Sequence, residues 1–195
     1  MATNYKKAPD DVLIKAILSE GKTELFGILY DRYADKVFRK CISFVKDKDA
    51  AQDMVQDILL KAFTQLSRFK GNSRFSTWLY AISYNYCVEH YRRNSKFAKT
   101  DIDSGPDIAE PDETQEEELL SARSDQLKRA LDMISPEDKM LLMMKYQDDT
   151  SIKDLMAQLD ISESAVKMRL ARARKRVKDL IQDAEHQAWT PNYYE

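Results

Sequence analysis

Glycine and proline are scarce, with four Gly and five Pro in 195 residues. So few turn formers exclude a chain of short strands and tight hairpins and predict an all-α protein. Cysteine is scarcer. Cys41 and Cys87 are far apart in sequence and have no CxxC spacing. That excludes a disulfide framework and predicts buried thiols in a reducing compartment. The two histidines, His90 and His186, are too few and too scattered for a metal site. No metal and no other cofactor is expected. No apolar run approaches 20 residues and no signal peptide opens the chain. A cytoplasmic protein with no membrane insertion is therefore expected. Net charge is also nearly absent, at a formal −2. Nucleic-acid binding would require local segregation of charge.

The charge is segregated. Between Thr100 and Ala122 there is no Lys or Arg, but nine acids: Asp101, Asp103, Asp107, Glu110, Asp112, Glu113, Glu116, Glu117 and Glu118. Gly105, Pro106 and Pro111 break helix there. The stretch reads as a flexible, self-repelling linker. It divides the chain into a tail over 1–9, a helical domain over 10–95, a linker over 96–118, a second helical domain over 119–183 and a tail over 184–195. From Lys167 to Lys178 the balance inverts, with seven basic residues and no acid.

That basic run closes the stretch SIKDLMAQLDISESAVKMRLARARKRVK, residues 151–178, which reads as a short helix, a tight turn and a longer helix. Ser151 is placed to cap the first helix, with Asp154 three residues on. Leu155 and Leu159 give it an apolar face. Asp160 and Ile161 make the turn, and Asp tolerates the left-handed conformation. Ser162 caps the second helix. At 100° per residue, Val166, Leu170, Ala173, Val177 and Leu180 point inward, while Ser164, Met168, Ala171 and Lys175 point outward. Lys167, Arg172 and Arg174 flank the outer face, with Arg169 and Arg176 on one shoulder. A small, nearly apolar face between cations fits a DNA major groove. A solvated basic helix or an RNA-binding surface is the other reading. Upstream, Ser135-Pro136-Glu137-Asp138 is a helix start. It follows a helix from near Glu116 that carries Leu120, Leu127, Leu131 and Ile134. The apolar run Met140 to Met144 then ends near Tyr146.

In the first domain, Asp10 or Asp11 caps a helix that Gly21 ends, and a longer helix runs from Leu25 past Ile42. The helix from about Asp49 to Leu66 buries Ala51, Val55, Ile58, Leu59, Ala62 and Leu66. Its other face carries Asp53, Gln56, Asp57, Leu60 and Thr64. Leu60 is either a lone exposed leucine or an apolar anchor ringed by carboxylates for a basic partner helix. Then comes RFKGNSRFSTWLYAISYNYCVEHYRR, residues 68–93. Lys70, Gly71, Asn72 and Ser73 form a polar loop, and Ser76 is placed to cap a helix to about Arg93. One stripe is Trp78, Leu79, Ile82 and Tyr86; a second is Tyr80, Tyr84, Cys87 and Tyr91. Both stripes are core, or they are stacking platforms beside the cations Arg68, Lys70, Arg74, Arg92 and Arg93, an arrangement that suits single-stranded nucleic acid.

The order of these blocks resembles an extracytoplasmic-function sigma factor, a promoter-specificity subunit of bacterial RNA polymerase. AAQDMVQDILLKAF looks like the polymerase-binding helix of the family's second region. Residues 68–93 look like the block that melts and reads the −10 element, and residues 131–180 look like the fourth region, which reads the −35 element. The resemblance implies that Asp53, Gln56, Asp57 and Leu60 contact core RNA polymerase. It implies that Lys70, Gly71, Asn72 and Ser73 capture a flipped base, and that Arg74, Asn85, Arg92 and Arg93 hold promoter DNA beside it. Ser162, Ser164, Lys167, Met168, Ala171 and Arg172 would meet the −35 duplex, with Arg169 and Arg174 on phosphates. The acidic linker would thread toward the active centre and imitate nucleic acid. An anti-sigma factor is the usual controller. Met156, Met168 and Glu89 depart from the residues common at those positions and leave the promoter sequence open. Met168 and Ala171 suggest thymine methyls as −35 contacts. A dimeric helix-turn-helix regulator would need a ligand pocket or phosphoacceptor, which no motif suggests. An enzyme would need a nucleophile or clustered metal carboxylates; the acids instead share one exposed face with a leucine.

Overall fold

A computed structural model describes residues 5–95 and 115–189 of the chain. Helices fill it, and there is no strand among the described residues. Two compact units form, one within Met1–Pro106 and the other within Asp107–Glu195. Of the linker reading at 96–118, residues 96–114 fall outside the described residues and 115–118 lie in a helix; of the tail reading at 184–195, residues 190–195 fall outside them and 184–189 continue the last helix.

The first unit holds α1 (Asp10–Glu20), α2 (Phe26–Val45), α3 (Lys48–Thr64) and α4 (Phe75–Ser95). α2 packs against the other three. Leu13, Leu29, Val37, Cys41, Ile58, Leu59, Leu66, Leu79, Tyr84 and Cys87 are fully buried among them. Each large aliphatic side chain of that set contributes roughly 1.5–3 kcal/mol by leaving water. Both cysteines are buried thiols, as expected, but distance in sequence misleads about distance in space. The sulfurs lie 3.9 Å apart, because α2 and α4 pack side by side.

Three helix starts differ from the sequence expectation, and tertiary contacts account for two of them. α1 is preceded by Pro9 with no side-chain cap; Asp10 and Asp11 both lie in its first turn. The Asp10 carboxylate instead accepts hydrogen bonds from Arg32 (2.8 Å) and from the Tyr33 hydroxyl (2.5 Å), which fastens α1 to α2. α4 begins at Phe75, and the Trp78 N–H donates to the Arg74 carbonyl at 3.2 Å, so Ser76 is inside the helix and caps nothing. Burial of Phe75 against the rings of Tyr33, Phe69 and Trp78 draws the first turn two residues earlier. α3 starts at Lys48 because the Asp47 carboxylate accepts from the Ala50 N–H at 2.7 Å. At the other end of α1, Gly21 takes φ 68° and closes the helix.

The second unit holds α5 (Gln115–Met133), α6 (Pro136–Leu142), α7 (Ile152–Leu159) and α8 (Glu163–Trp189). Ser135 accepts from the Asp138 N–H, Pro136 opens α6, and Glu137 and Asp138 fill its first turn. The apolar run does not continue as one α-helix. Met143–Gln147 widen into a π turn that buries Met144 and leaves Tyr146 exposed. Met140, Leu141, Leu142, Met144, Leu155, Val166, Leu170, Ala173 and Val177 form the core. Of the apolar residues expected on α5, Leu127 is exposed and Leu131 is half-buried; Ile134, just past the helix end, is also half-buried. Among the α5 residues whose burial is described, Ala130 is buried, and α5 packs against α8. The ion pair of buried Lys139 with Asp132, at 2.7 Å, ties α6 to α5.

Candidate functional site

Helix α3 presents two unlike faces. Ala51, Met54, Val55, Ile58, Leu59 and Ala62 are buried against the unit. Asp53, Gln56, Asp57, Leu60 and Thr64 all face solvent. Leu59 is 2% exposed and its neighbour Leu60 is 61% exposed. An apolar knob thus stands among carboxylates and an amide, chemistry complementary to a basic helix. Asp57 alone of these is engaged across helices: the Tyr86 hydroxyl of α4 donates to its Oδ2 at 2.5 Å.

Between α3 and α4 the chain makes a 3-10 turn, Leu66–Arg68, and then a bend over 71–73. Gly71 has φ 70°, which a residue with a side chain adopts only under strain. Lys70, Gly71, Asn72 and Arg74 are exposed and Ser73 is half-buried. The Ser73 hydroxyl donates weakly to the Arg74 carbonyl at 3.4 Å. Beneath the loop, the Phe69 ring packs on Phe75 (5.8 Å) and Trp78 (5.5 Å). A polar loop on an aromatic floor offers a cation, an amide and a hydroxyl at one place. Those groups match the edge of an unstacked base.

The two aromatic stripes of α4 separate into core and surface. Tyr84 and Leu79 are fully buried, and Trp78, Tyr80, Ile82 and Tyr86 are half-buried. Tyr84 therefore belongs to the core, not to a stacking platform. Its hydroxyl accepts from buried Lys40 at 3.2 Å, and the same ammonium lies 4.0 Å from the Tyr80 ring centroid. Sequence periodicity gave no signal for Lys40, since it occupies a core register of α2 between Val37 and Phe44. Tyr91 is the exposed member, at 44%. Asn85, Arg92 and Arg93 are exposed on the same helix. Arg93 pairs with Glu89 one turn back, which holds the Glu89 carboxyl below its usual range and raises the guanidinium further.

In the second unit the helix-turn-helix forms as its sequence predicts. The Ser151 hydroxyl accepts from the Asp154 N–H at 3.0 Å and donates to the Asp154 carboxylate at 2.7 Å. Asp160 takes φ 52°, ψ 48° and closes α7. Ser162 accepts from the Ala165 N–H at 3.3 Å and caps α8. Its hydroxyl also lies 3.1 Å from that of Ser164, so this cap sits at the edge of the outer face. Val166, Leu170, Ala173 and Val177 are buried; Leu180 is half-buried. Ser164, Lys167, Met168, Arg169, Ala171, Arg172, Arg174 and Lys175 are all exposed, with Met168 at 51%. The basic run is partly neutralised within the unit. Lys167 pairs with Glu163 at 2.5 Å and lowers that carboxyl, Lys175 pairs with Asp179 at 2.7 Å, and Arg176 pairs with Asp138. Arg169, Arg172 and Arg174 make no ion pair with the described residues. Their charge is available to phosphates.

Among the described residues no three His, Cys, Asp or Glu side chains gather as metal ligands, and no helix is long and apolar enough to cross a membrane. Comparison with known proteins places both units. Residues 29–97 match the Sigma-70 region 2 model and residues 124–177 match the model for Sigma-70, region 4. The chain is 30% identical over 185 residues to an ECF RNA polymerase sigma-E factor of Haemophilus influenzae, covering 89% of this chain and 95% of that protein. It is 28% identical over 152 residues to the RNA polymerase sigma factor YlaC of Bacillus subtilis, covering 77% and 88%. Its fold is similar to CnrH, solved with the cytosolic domain of CnrY, at TM-score 0.61 and 22% identity over 89% of this chain and 97% of that one. It is similar also to the sigma factor RpoE of Bartonella quintana, solved with the anti-sigma factor NepR, at TM-score 0.58 and 23% identity over 76% and 91%. With region 2 and region 4 in order, and a 30% identical relative matched over nearly its whole length, the chain belongs to the sigma-70 family, as an extracytoplasmic-function RNA polymerase sigma factor.

Proposed function

We propose that the chain works as the specificity subunit of transcription initiation through three separate surfaces, and that it catalyses no covalent step itself. Asp53, Gln56, Asp57 and Leu60 dock the domain over 10–95 on core RNA polymerase. The loop Lys70 to Ser73 takes a base flipped from the −10 element, while Arg74, Asn85, Arg92 and Arg93 hold the strand and adjoining duplex. The outer face of α8 reads the −35 element from the domain over 119–183, with Met168 and Ala171 against base edges and Arg169 and Arg174 on phosphates. The acidic segment over 96–118 spans the two domains and occupies the nucleic-acid path.

The observation that carries this reading is the exposed Leu60 amid acids on one unit, paired with unneutralised arginines around a small apolar face on the other. Strand opening then needs no nucleotide hydrolysis. Flipping a base costs a few kcal/mol, and stacking on an aromatic returns roughly 1–3 kcal/mol per base. An anti-sigma partner in the cytoplasm is the proposed control, supported by the NepR complex of the Bartonella quintana relative. Permanganate footprinting of polymerase on a responsive promoter tests the loop. Lys70→Ala/Asn72→Ala is expected to keep core binding and −35 protection and to lose thymine reactivity in the −10 region; full reactivity in that variant contradicts the assignment.

A further inference from the structure

A hydrogen bond between side chains, from the Tyr86 hydroxyl to Asp57 Oδ2, joins the docking face of α3 to α4. Lys61, one turn beyond Asp57, places its ammonium 6.0 Å from the Tyr86 ring centroid, so the ring is held between a carboxylate and a cation of the same helix. Partial burial and the Asp57 contact push the hydroxyl up to about 12, so it stays a donor at neutral pH. One turn along α4 from Tyr86, Glu89 pairs with Arg93, and both Lys61 and Arg93 lower its carboxyl. A polar chain therefore runs from the docking face to the basic end of α4.

An exposed carboxylate on a helix samples several rotamers. Immobilising such a side chain at an interface costs about two- to twelvefold in affinity. A bond that fixes it beforehand removes that cost. We propose that Tyr86 is a positioning residue for polymerase docking: its hydroxyl holds the Asp57 carboxylate in the orientation that a cationic partner side chain meets. The proposal rests on the docking reading of Asp57 and adds a residue outside the docking face itself. It also makes α4, which carries Arg92 and Arg93, part of the docking apparatus.

The test is a double-mutant cycle on the full chain with core RNA polymerase, reading the dissociation constant of the binary complex. Tyr86→Phe keeps the ring and removes only the donor. It is expected to weaken core binding about two- to tenfold, in a chain that remains fully folded at the assay temperature by circular dichroism. In an Asp57→Ala background the same substitution is expected to change nothing. Wild-type affinity in Tyr86→Phe overturns the proposal, as does an equal loss in both backgrounds, which would mark a general structural role. If Asp57→Ala alone binds core as tightly as the wild type, the docking assignment of Asp57 fails first and the proposal with it.

Discussion

Leu60 offers no stability to the folded unit, since most of its side chain remains in water beside a fully buried Leu59. In the proposed mechanism its value lies in what it meets. Leu60→Ala is expected to shift unfolding free energy by less than about 0.5 kcal/mol, as exposed substitutions do. The same change is expected to cost about 2 kcal/mol in core-polymerase binding, the magnitude of an interface anchor. Equilibrium unfolding and a binding titration on one preparation separate the two. Met168 presents a similar contrast in the other unit. If its thioether meets thymine methyls, replacing thymine by uracil across the −35 element weakens binding at one position at least. Unchanged affinity at every position excludes that contact.

Tyrosines supply a pH dependence at the same scale. Tyr86 rises from 10.0 to about 12, by burial and then by Asp57. Tyr33 rises further for the same kinds of reason, with Asp10 as its partner. A phenol raised in the folded state keeps its proton after the unfolded chain has lost one. The stability it contributes is complete below about pH 10 and disappears as pH climbs through 12. The first unit is thus expected to lose stability in that alkaline window, and Tyr33→Phe to reduce the loss, as followed by far-ultraviolet circular dichroism.

At the scale of the element, local chemistry and tertiary packing divide the credit. Ser135, Ser151 and Ser162 cap helices as their spacing predicts, because each bond runs only three residues along the chain. Asp10 and Ser76 fail as caps. Arg32 and Tyr33 claim the first, and burial of Phe75 overrides the second; neither partner is visible from local sequence. Asp160 shows the local rule at its clearest. It adopts the left-handed region that ends α7 and sets the entry to α8. Asp160→Val is expected to destabilise the second unit by about 1–2 kcal/mol, and Asp160→Gly to leave it nearly unchanged. Thermal unfolding of the two variants measures the difference; equal melting temperatures would mean the turn geometry is not what positions α8.

At the scale of the molecule, a formal charge of −2 hides two surfaces of opposite character. The all-α architecture, the faces of α3 and α8 and the polar loop before α4 were legible, because helical periodicity reports which side of a helix is apolar. Three features were not. The contact of Cys41 with Cys87, the Lys40 ammonium against Tyr80 and Tyr84, and the Tyr86–Asp57 bond all join residues more than 25 positions apart. Periodicity assigns a face to each helix but does not say which neighbour covers it. The aromatic stripes of α4 show the limit well. Spacing left both core and stacking platform open, and packing against α2 buries Tyr84 while leaving Tyr91 exposed.

In the proposed mechanism the first unit holds polymerase and the −10 element, and the second holds the −35 element. Run-off transcription with core RNA polymerase from a related bacterium tests it most directly, with wild type, Leu60→Ala and Lys167→Ala/Arg172→Ala compared side by side. The wild type is expected to initiate, Leu60→Ala to bind core roughly thirtyfold more weakly, and the double variant to keep core binding and lose promoter selection. Tight binding of duplex promoter DNA by the chain alone, with no effect on core polymerase, would contradict it.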